Sequence, residues 1–124
     1  MTKDRVNLII AGSRYFEDYD LLMETLDEFL TTHSVLEVVS GTCRGADKLG
    51  ERWAKEHNIP VKQFPAQWDK YGKTAGPIRN REMANYGTHL VAFLTAQSRG
   101  TKNMIQEARR RGLEVLVIPI KVRT

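Results

Sequence analysis

The segment Val6–Ala11 (VNLIIA), followed at once by Gly12, Ser13 and Arg14, decides the fold. A short, nearly unbroken apolar run fits a strand buried on both faces, and such strands belong to parallel sheets covered by helices on each side. The glycine and serine then turn the chain out of the sheet. Working outward, the next segment has the complementary period. From Tyr19 to about Thr32, Leu22, Met23, Leu26, Phe29 and Leu30 recur at helical spacing, with Glu24, Asp27 and Glu28 on the opposite side.

The alternation continues along the chain. Val35–Ser40 (VLEVVS) reads as a second strand stopped by Gly41, and Ala46–His57 as a helix carrying Leu49, Trp53 and Ala54, ended before Asn58 and Pro60. Val61–Phe64 is a brief third strand. Pro65–Ala75 (PAQWDKYGKTA) is polar, aromatic and glycine-containing and reads as a loop. Pro77 suits the first turn of a helix that runs to about Tyr86 and is closed by Gly87. His89–Leu94 (HLVAFL) is a fourth strand and Gln97–Thr101 a polar turn. Lys102–Arg111 is a helix with Met104, Ile105 and Ala108 on its inner face, and Leu113–Ile118 (LEVLVI) is a fifth strand halted by Pro119. This order predicts one α/β domain over residues 1–124, a Rossmann-like three-layer fold around a five-stranded parallel sheet. Right-handed crossovers leave few topologies, and the order 3-2-1-4-5 is preferred to the flavodoxin-like 2-1-3-4-5.

Composition narrows the class. A chain of 124 residues with 41% hydrophobic and 27% charged residues has the balance of a globular protein rather than a disordered one. No apolar run approaches the ~18 residues of a membrane span, and the start MTKDRVNLII is charged before it is briefly apolar, so neither anchor nor leader is expected. One cysteine, Cys43, makes no internal disulfide, and the three histidines look scattered, so no metal or cofactor is expected and the chain reads as cytoplasmic. Nineteen Lys and Arg against fifteen Asp and Glu, a net charge of +4, favour anionic partners.

In an open parallel sheet the ligand crevice lies beyond the carboxyl ends of the strands, where strand order reverses, here between the first and fourth strands. The segments leaving those ends supply candidates: Gly12, Ser13, Arg14 and Tyr15; Gly41, Arg44, Gly45 and Asp47; Trp68; and Ser98, Arg99, Gly100 and Thr101. Glycines let backbone approach a ligand, helix starts offer unpaired N–H groups, and arginines add forked donors, a combination suited to phosphate. Gly41–Gly45 is neither the G-x-G-x-x-G fingerprint nor a P-loop, so hydride transfer with NAD and P-loop hydrolysis lose their main support. Gly76, Arg79 and Asn80 open a helix, where cations oppose the dipole; an anionic ligand, or a carboxylate such as Asp47 or Asp69, would compensate. Trp68 and Tyr71 could stack on a base or cover the crevice, whereas Trp53 and Phe16 read as core. Cys43 is treated as incidental, and Arg109–Arg111 as a solvated helix cap.

The set GSRYF (12–16), SGTCRGAD (40–47), WA (53–54), FPAQW (64–68), YGKTAGPIRNREM (71–83), AF (92–93) and SRGTKNMI (98–105) resembles the YspA/YpsA-like branch of the SLOG superfamily over residues 6–118. These are Rossmann-like domains related to DNA-processing protein A and to the "lonely guy" phosphoribohydrolases. The resemblance implies a crevice for nucleotides or nucleotide-derived molecules, a role as ligand sensor or processor in bacterial and phage conflict, and a homodimer or higher homo-oligomer. The R-K-x-x-M element of the phosphoribohydrolases falls on Arg79–Met83, keeping Arg79 and Met83. Their P-G-G-x-G-T-x-x-E element falls on Ala96–Met104, keeping Gly100 and Thr101 but placing Met104 where the glutamate stands. Methionine neither accepts a proton nor stabilises an oxocarbenium ion, so binding without turnover is the favoured reading. An ADP-ribose-like or cyclic nucleotide is the expected ligand. A phosphoribohydrolase or N-glycosidase is the alternative, with Asp47, Asp69 or Glu82 as substitute carboxylate. Single-stranded nucleic-acid binding ranks last, because basic stretches are short and candidate exposed aromatics few.

Overall fold

A computed structural model describes residues 3–122. The residues 1, 2, 123 and 124 of the expected domain and of its charged start lie outside that range. The strands are β1 (Asp4–Gly12), β2 (His33–Ser40), β3 (Val61–Gln63), β4 (His89–Leu94) and β5 (Glu114–Pro119). All pair in parallel, in the order β3-β2-β1-β4-β5, as the sequence pattern predicts. The helices are α1 (Tyr19–Phe29), α2 (Ala46–Glu56), the single turn α3 (Trp68–Tyr71), α4 (Ala75–Tyr86) and α5 (Arg99–Arg110).

Strand alternation sends β1 side chains into two cores. Val6, Leu8 and Ile10 pack with Leu22 and Leu26 of α1 and with Ala46, Trp53 and Ala54 of α2. Ile9 and Ala11 pack with Met83 and Ala84 of α4 and with Met104, Ile105 and Ala108 of α5. Each face of β1 is therefore covered by two helices, which is why its sequence reads as a run rather than an alternation. Trp53 is fully buried and its indole N–H donates to Asp27 Oδ1 at 3.1 Å, confirming its core assignment. Phe16 also turns inward, its ring stacked on Phe93 at 4.8 Å.

The structure corrects four local readings. Most of the presumed loop 65–75 is helical: α3 is followed by a 3-10 turn at Gly72–Thr74 that runs directly into α4. Because α4 begins at Ala75, Arg79 and Asn80 sit in its second turn, not its first, and the dipole argument against cations there loses most of its force. The helix α5 begins at Arg99, so Ser98–Thr101 is its N-cap and first turn rather than a free turn. Gly87 closes α4 in extended geometry at φ −79°, not as a left-handed cap; a Cβ there would lie 2.7 Å from Ile9 side-chain atoms, so close packing on β1 requires the glycine.

Gly45 does need its conformational freedom. Its φ is +80°, and a Cβ would meet the Ser13 carbonyl oxygen at 2.2 Å, where the loop after β1 lies against the start of α2. Gly45→Ala should cost about 3 kcal/mol or more in urea denaturation. Gly100 has helical backbone and open space within 4 Å of where a Cβ would stand, so Gly100→Ala should be neutral or stabilise by up to ~1 kcal/mol.

Candidate functional site

Beyond the carboxyl ends of β1 and β4 lies a cavity of about 860 Å³, within the size range of small-molecule sites. Its walls come from four chain segments. Gly12 ends β1 and Ser13, Arg14 and Tyr15 follow it; Cys43, Arg44 and Asp47 lie between β2 and the first turn of α2. Trp68 of α3 and Gly76, Arg79, Asn80 and Met83 of α4 form a third side. Ser98, Arg99, Gly100 and Thr101 close the fourth at the start of α5. The structure thus brings together nearly all the residues singled out in the sequence.

Gly41 and Gly45 lie outside the lining, as do Tyr71 and the two further carboxylates, Asp69 and Glu82. Gly45 makes room for the Ser13–Arg14 backbone, and Gly41 makes room for side chains: a Cβ there would stand 2.7 Å from Arg79 Nη1 and 2.8 Å from Asp47 Oδ2. Residues not anticipated also line the cavity, among them Thr95, Gln97 and Asn103. Thr95 directly follows β4 as Ser13 follows β1, and Asn103 lies one helical turn beyond Gly100 on a helix that begins at Arg99. Cys43 and Met104 belong to the lining too.

Polar groups in the crevice divide into two kinds. Arg79 and Asn80 are buried, at 8% and 5% exposure, and spend their hydrogen bonds on the protein. Arg79 Nη1 donates to the carbonyls of Gly41 and Phe64, and its Nε donates to Asn80 Oδ1 at 3.0 Å. Asn80 Nδ2 in turn donates to Gly100 O at 3.2 Å and to Asn103 Oδ1 at 2.9 Å. Neither Asp47 nor Asp69 forms a hydrogen-bonded pair with Arg79 among the described residues. Arg14, Arg44 and Arg99, by contrast, are exposed in the lining, as are Tyr15 and Trp68 at 46% and 56% exposure.

Four arginines therefore face one carboxyl, Asp47, in the lining formed by the described residues. Asp47 occupies the first turn of α2 and accepts the Cys43 N–H at 3.2 Å. Burial pushes its carboxyl up to about 6, against the lowering effects of the Cys43 N–H and the Arg79 charge. The first turn of α5 holds no carboxylate, and its N-cap Ser98 bonds to Thr95 instead of to the helix amides. The helix end best disposed toward an anion is thus that of α5, beside Arg99.

The raised Asp47 value has a consequence for stability. The native carboxyl binds its proton more tightly than the unfolded one, whose ordinary value is 3.8, so this group weakens the fold as pH rises from about 4 to above 6. Asp47→Asn keeps an acceptor for Cys43 and removes the buried charge. Urea denaturation should show the variant more stable than the parent by an amount of order 2 kcal/mol at pH 8, with the difference shrinking toward pH 4.

Three comparisons place the chain among known proteins. Residues 6–71 match the family model described as "YspA, cpYpsA-related SLOG family". The Gene 61 protein of Mycobacterium phage D29 is 34% identical over 116 residues, covering 88% of this chain and 93% of that protein. The X-ray structure of DNA processing protein A from Streptococcus pneumoniae superposes with a TM-score of 0.74 at 16% identity. That match covers 93% of this chain but 50% of the other, so it speaks to the fold alone. The family match over more than half the chain, joined to the phage relative, shows that this protein belongs to the YspA, cpYpsA-related SLOG family.

Proposed function

We propose that the crevice binds a nucleotide or nucleotide-derived small molecule, of the ADP-ribose or cyclic-nucleotide kind, and that the chain acts as one sensor or sequestering domain in the cytoplasm. The observation that carries this reading is the meeting of the α5 N-terminus with exposed Arg14, Arg44 and Arg99 around one cavity. Uncommitted cations and first-turn amides suit phosphate oxygens, while the exposed face of Trp68 suits a base. The similarity to a phage protein is compatible with a place in conflict between bacteria and phages. Association into a homodimer belongs to the same reading, and light scattering on the purified protein tests it.

One observation favours a second reading, hydrolysis of an N-glycosidic bond. A buried carboxyl held near 6 is suited to general acid or base work, and Asp47 lies in the crevice. A single carboxyl among the described lining residues is a weaker set than the acid–base pair such chemistry commonly uses, so binding is preferred.

Calorimetric titration with ADP-ribose, AMP and cyclic AMP, followed by chromatography of the ligand, separates the two. Binding should saturate at one ligand per chain and return the ligand intact. Arg99→Ala should weaken it by about tenfold or more, the loss of one charge-assisted hydrogen bond. Trp68→Ala should weaken nucleotide binding without altering the melting temperature, because its side chain is exposed. Release of free base, abolished by Asp47→Asn, would establish the hydrolase instead; absence of binding to any of these compounds would count against both readings.

A further inference from the structure

The three histidines look scattered in sequence, but the fold brings two of them together at the edge of the sheet opposite the crevice. His33 opens β2, His89 opens β4 and Glu114 opens β5. The rings of His33 and His89 meet edge to face at 5.1 Å, and His33 is stacked on Phe29 at 3.9 Å. One ligand atom from each of His33, His89 and Glu114 lies within 4.8 Å of the other two.

Both histidines follow a threonine, and in both the threonine hydroxyl holds Nδ1 at 2.8 Å. His33 Nδ1 also lies 3.2 Å from the carbonyl oxygen of Phe29, which only accepts, so the neutral ring carries its proton there and leaves a lone pair on Nε2. At His89, the Thr88 hydroxyl reaches Asn7 O at 3.3 Å. With the hydroxyl proton on that carbonyl, His89 Nδ1 is the donor to Thr88, and its Nε2 too presents a lone pair. His89 Nε2 is fully buried and, among the described residues, is the one buried side-chain polar atom without a hydrogen-bond partner. The Glu114 carboxylate stands 3.2 Å away without hydrogen-bond alignment. A lone pair and a carboxylate oxygen this close repel unless a cation lies between them.

We propose that His33, His89 and Glu114 bind a divalent transition-metal ion of the zinc type. Two imidazole nitrogens and a carboxylate form a donor set suited to zinc, with a fourth position for water. Four-coordinate zinc at its usual ligand distances sets ligand atoms about 3.3 Å apart, so the widest pair closes by about 1.5 Å at most. Glu114 has the freedom to move, since its side chain is 75% exposed. The threonines orient the rings in the manner of outer partners at metal sites. The ion would tie together the first residues of β2, β4 and β5, a clamp at one end of the sheet that is independent of the crevice.

The tag-free 124-residue chain, stripped with a chelator, is titrated with Zn²⁺ by calorimetry and with Co²⁺ by visible absorption. One ion per chain is expected, with a melting temperature raised by zinc and tetrahedral Co²⁺ bands lacking thiolate charge transfer. Glu114→Gln, at an exposed side chain, should weaken binding at least about tenfold without unfolding the protein. His89→Gln should abolish binding, and Cys43→Ser should leave it unchanged. No saturable binding, or binding indifferent to Glu114→Gln and His89→Gln, overturns the proposal.

Discussion

A buried guanidinium holds the functional edge of this molecule in place. Arg79 is withdrawn from water without a hydrogen-bonded carboxylate, and burying such a charge is costly unless its donors are used. They are used: the carbonyls at the ends of β2 and β3, at Gly41 and Phe64, and the side chain of Asn80 all accept from it. Removing Arg79 would strand those acceptors, at roughly 1–3 kcal/mol for each that stays buried. The bonds pin α4 across the strand ends, and Asn80 extends the link to α5 through Gly100 and Asn103. Gly41 is glycine because this guanidinium and the Asp47 carboxyl crowd the position where a side chain would begin.

The crevice follows from that arrangement as the space between segments already fixed. Its buried polar residues build the walls, and the side chains of its exposed arginines form no hydrogen bond or ion pair among the described residues. The two helix starts differ in the same sense. In α2 the first turn already contains a carboxyl, whereas in α5 it contains Arg99, Gly100 and Thr101 with no acid. An anion is therefore directed toward α5, and among the described residues Asp47 is the one acidic group in the lining.

Much of this was legible in the amino-acid sequence, and the failures have identifiable causes. Apolar runs ending in Gly12, Gly41 and the turn after Leu94 revealed parallel strands, and crossover handedness selected their order. Short elements were harder: α3 is a single exposed turn with no buried residue, so it leaves no hydrophobic period to read. The true starts of α4 at Ala75 and α5 at Arg99 carry no strong sequence signal, and they set where Arg79, Asn80 and Ser98–Thr101 fall in their helices. In sequence, a turn glycine required by packing, as Gly41 and Gly45 are, looks like one required by a ligand. The meeting of His33 with His89 depends on parallel crossovers that return successive strands to the same edge, which residue spacing does not reveal.

The central claim is that the carboxyl edge of the sheet forms a cradle for a nucleotide-derived anion. Exposing the purified protein to a pool of cellular nucleotides, washing it, denaturing it and identifying the released compounds by mass spectrometry tests that claim most directly. The account predicts a phosphate-bearing nucleotide derivative released intact, near one per chain, and lost from a variant with Arg14 and Arg99 both replaced by alanine. Recovery of nothing above the level released by that variant would contradict it.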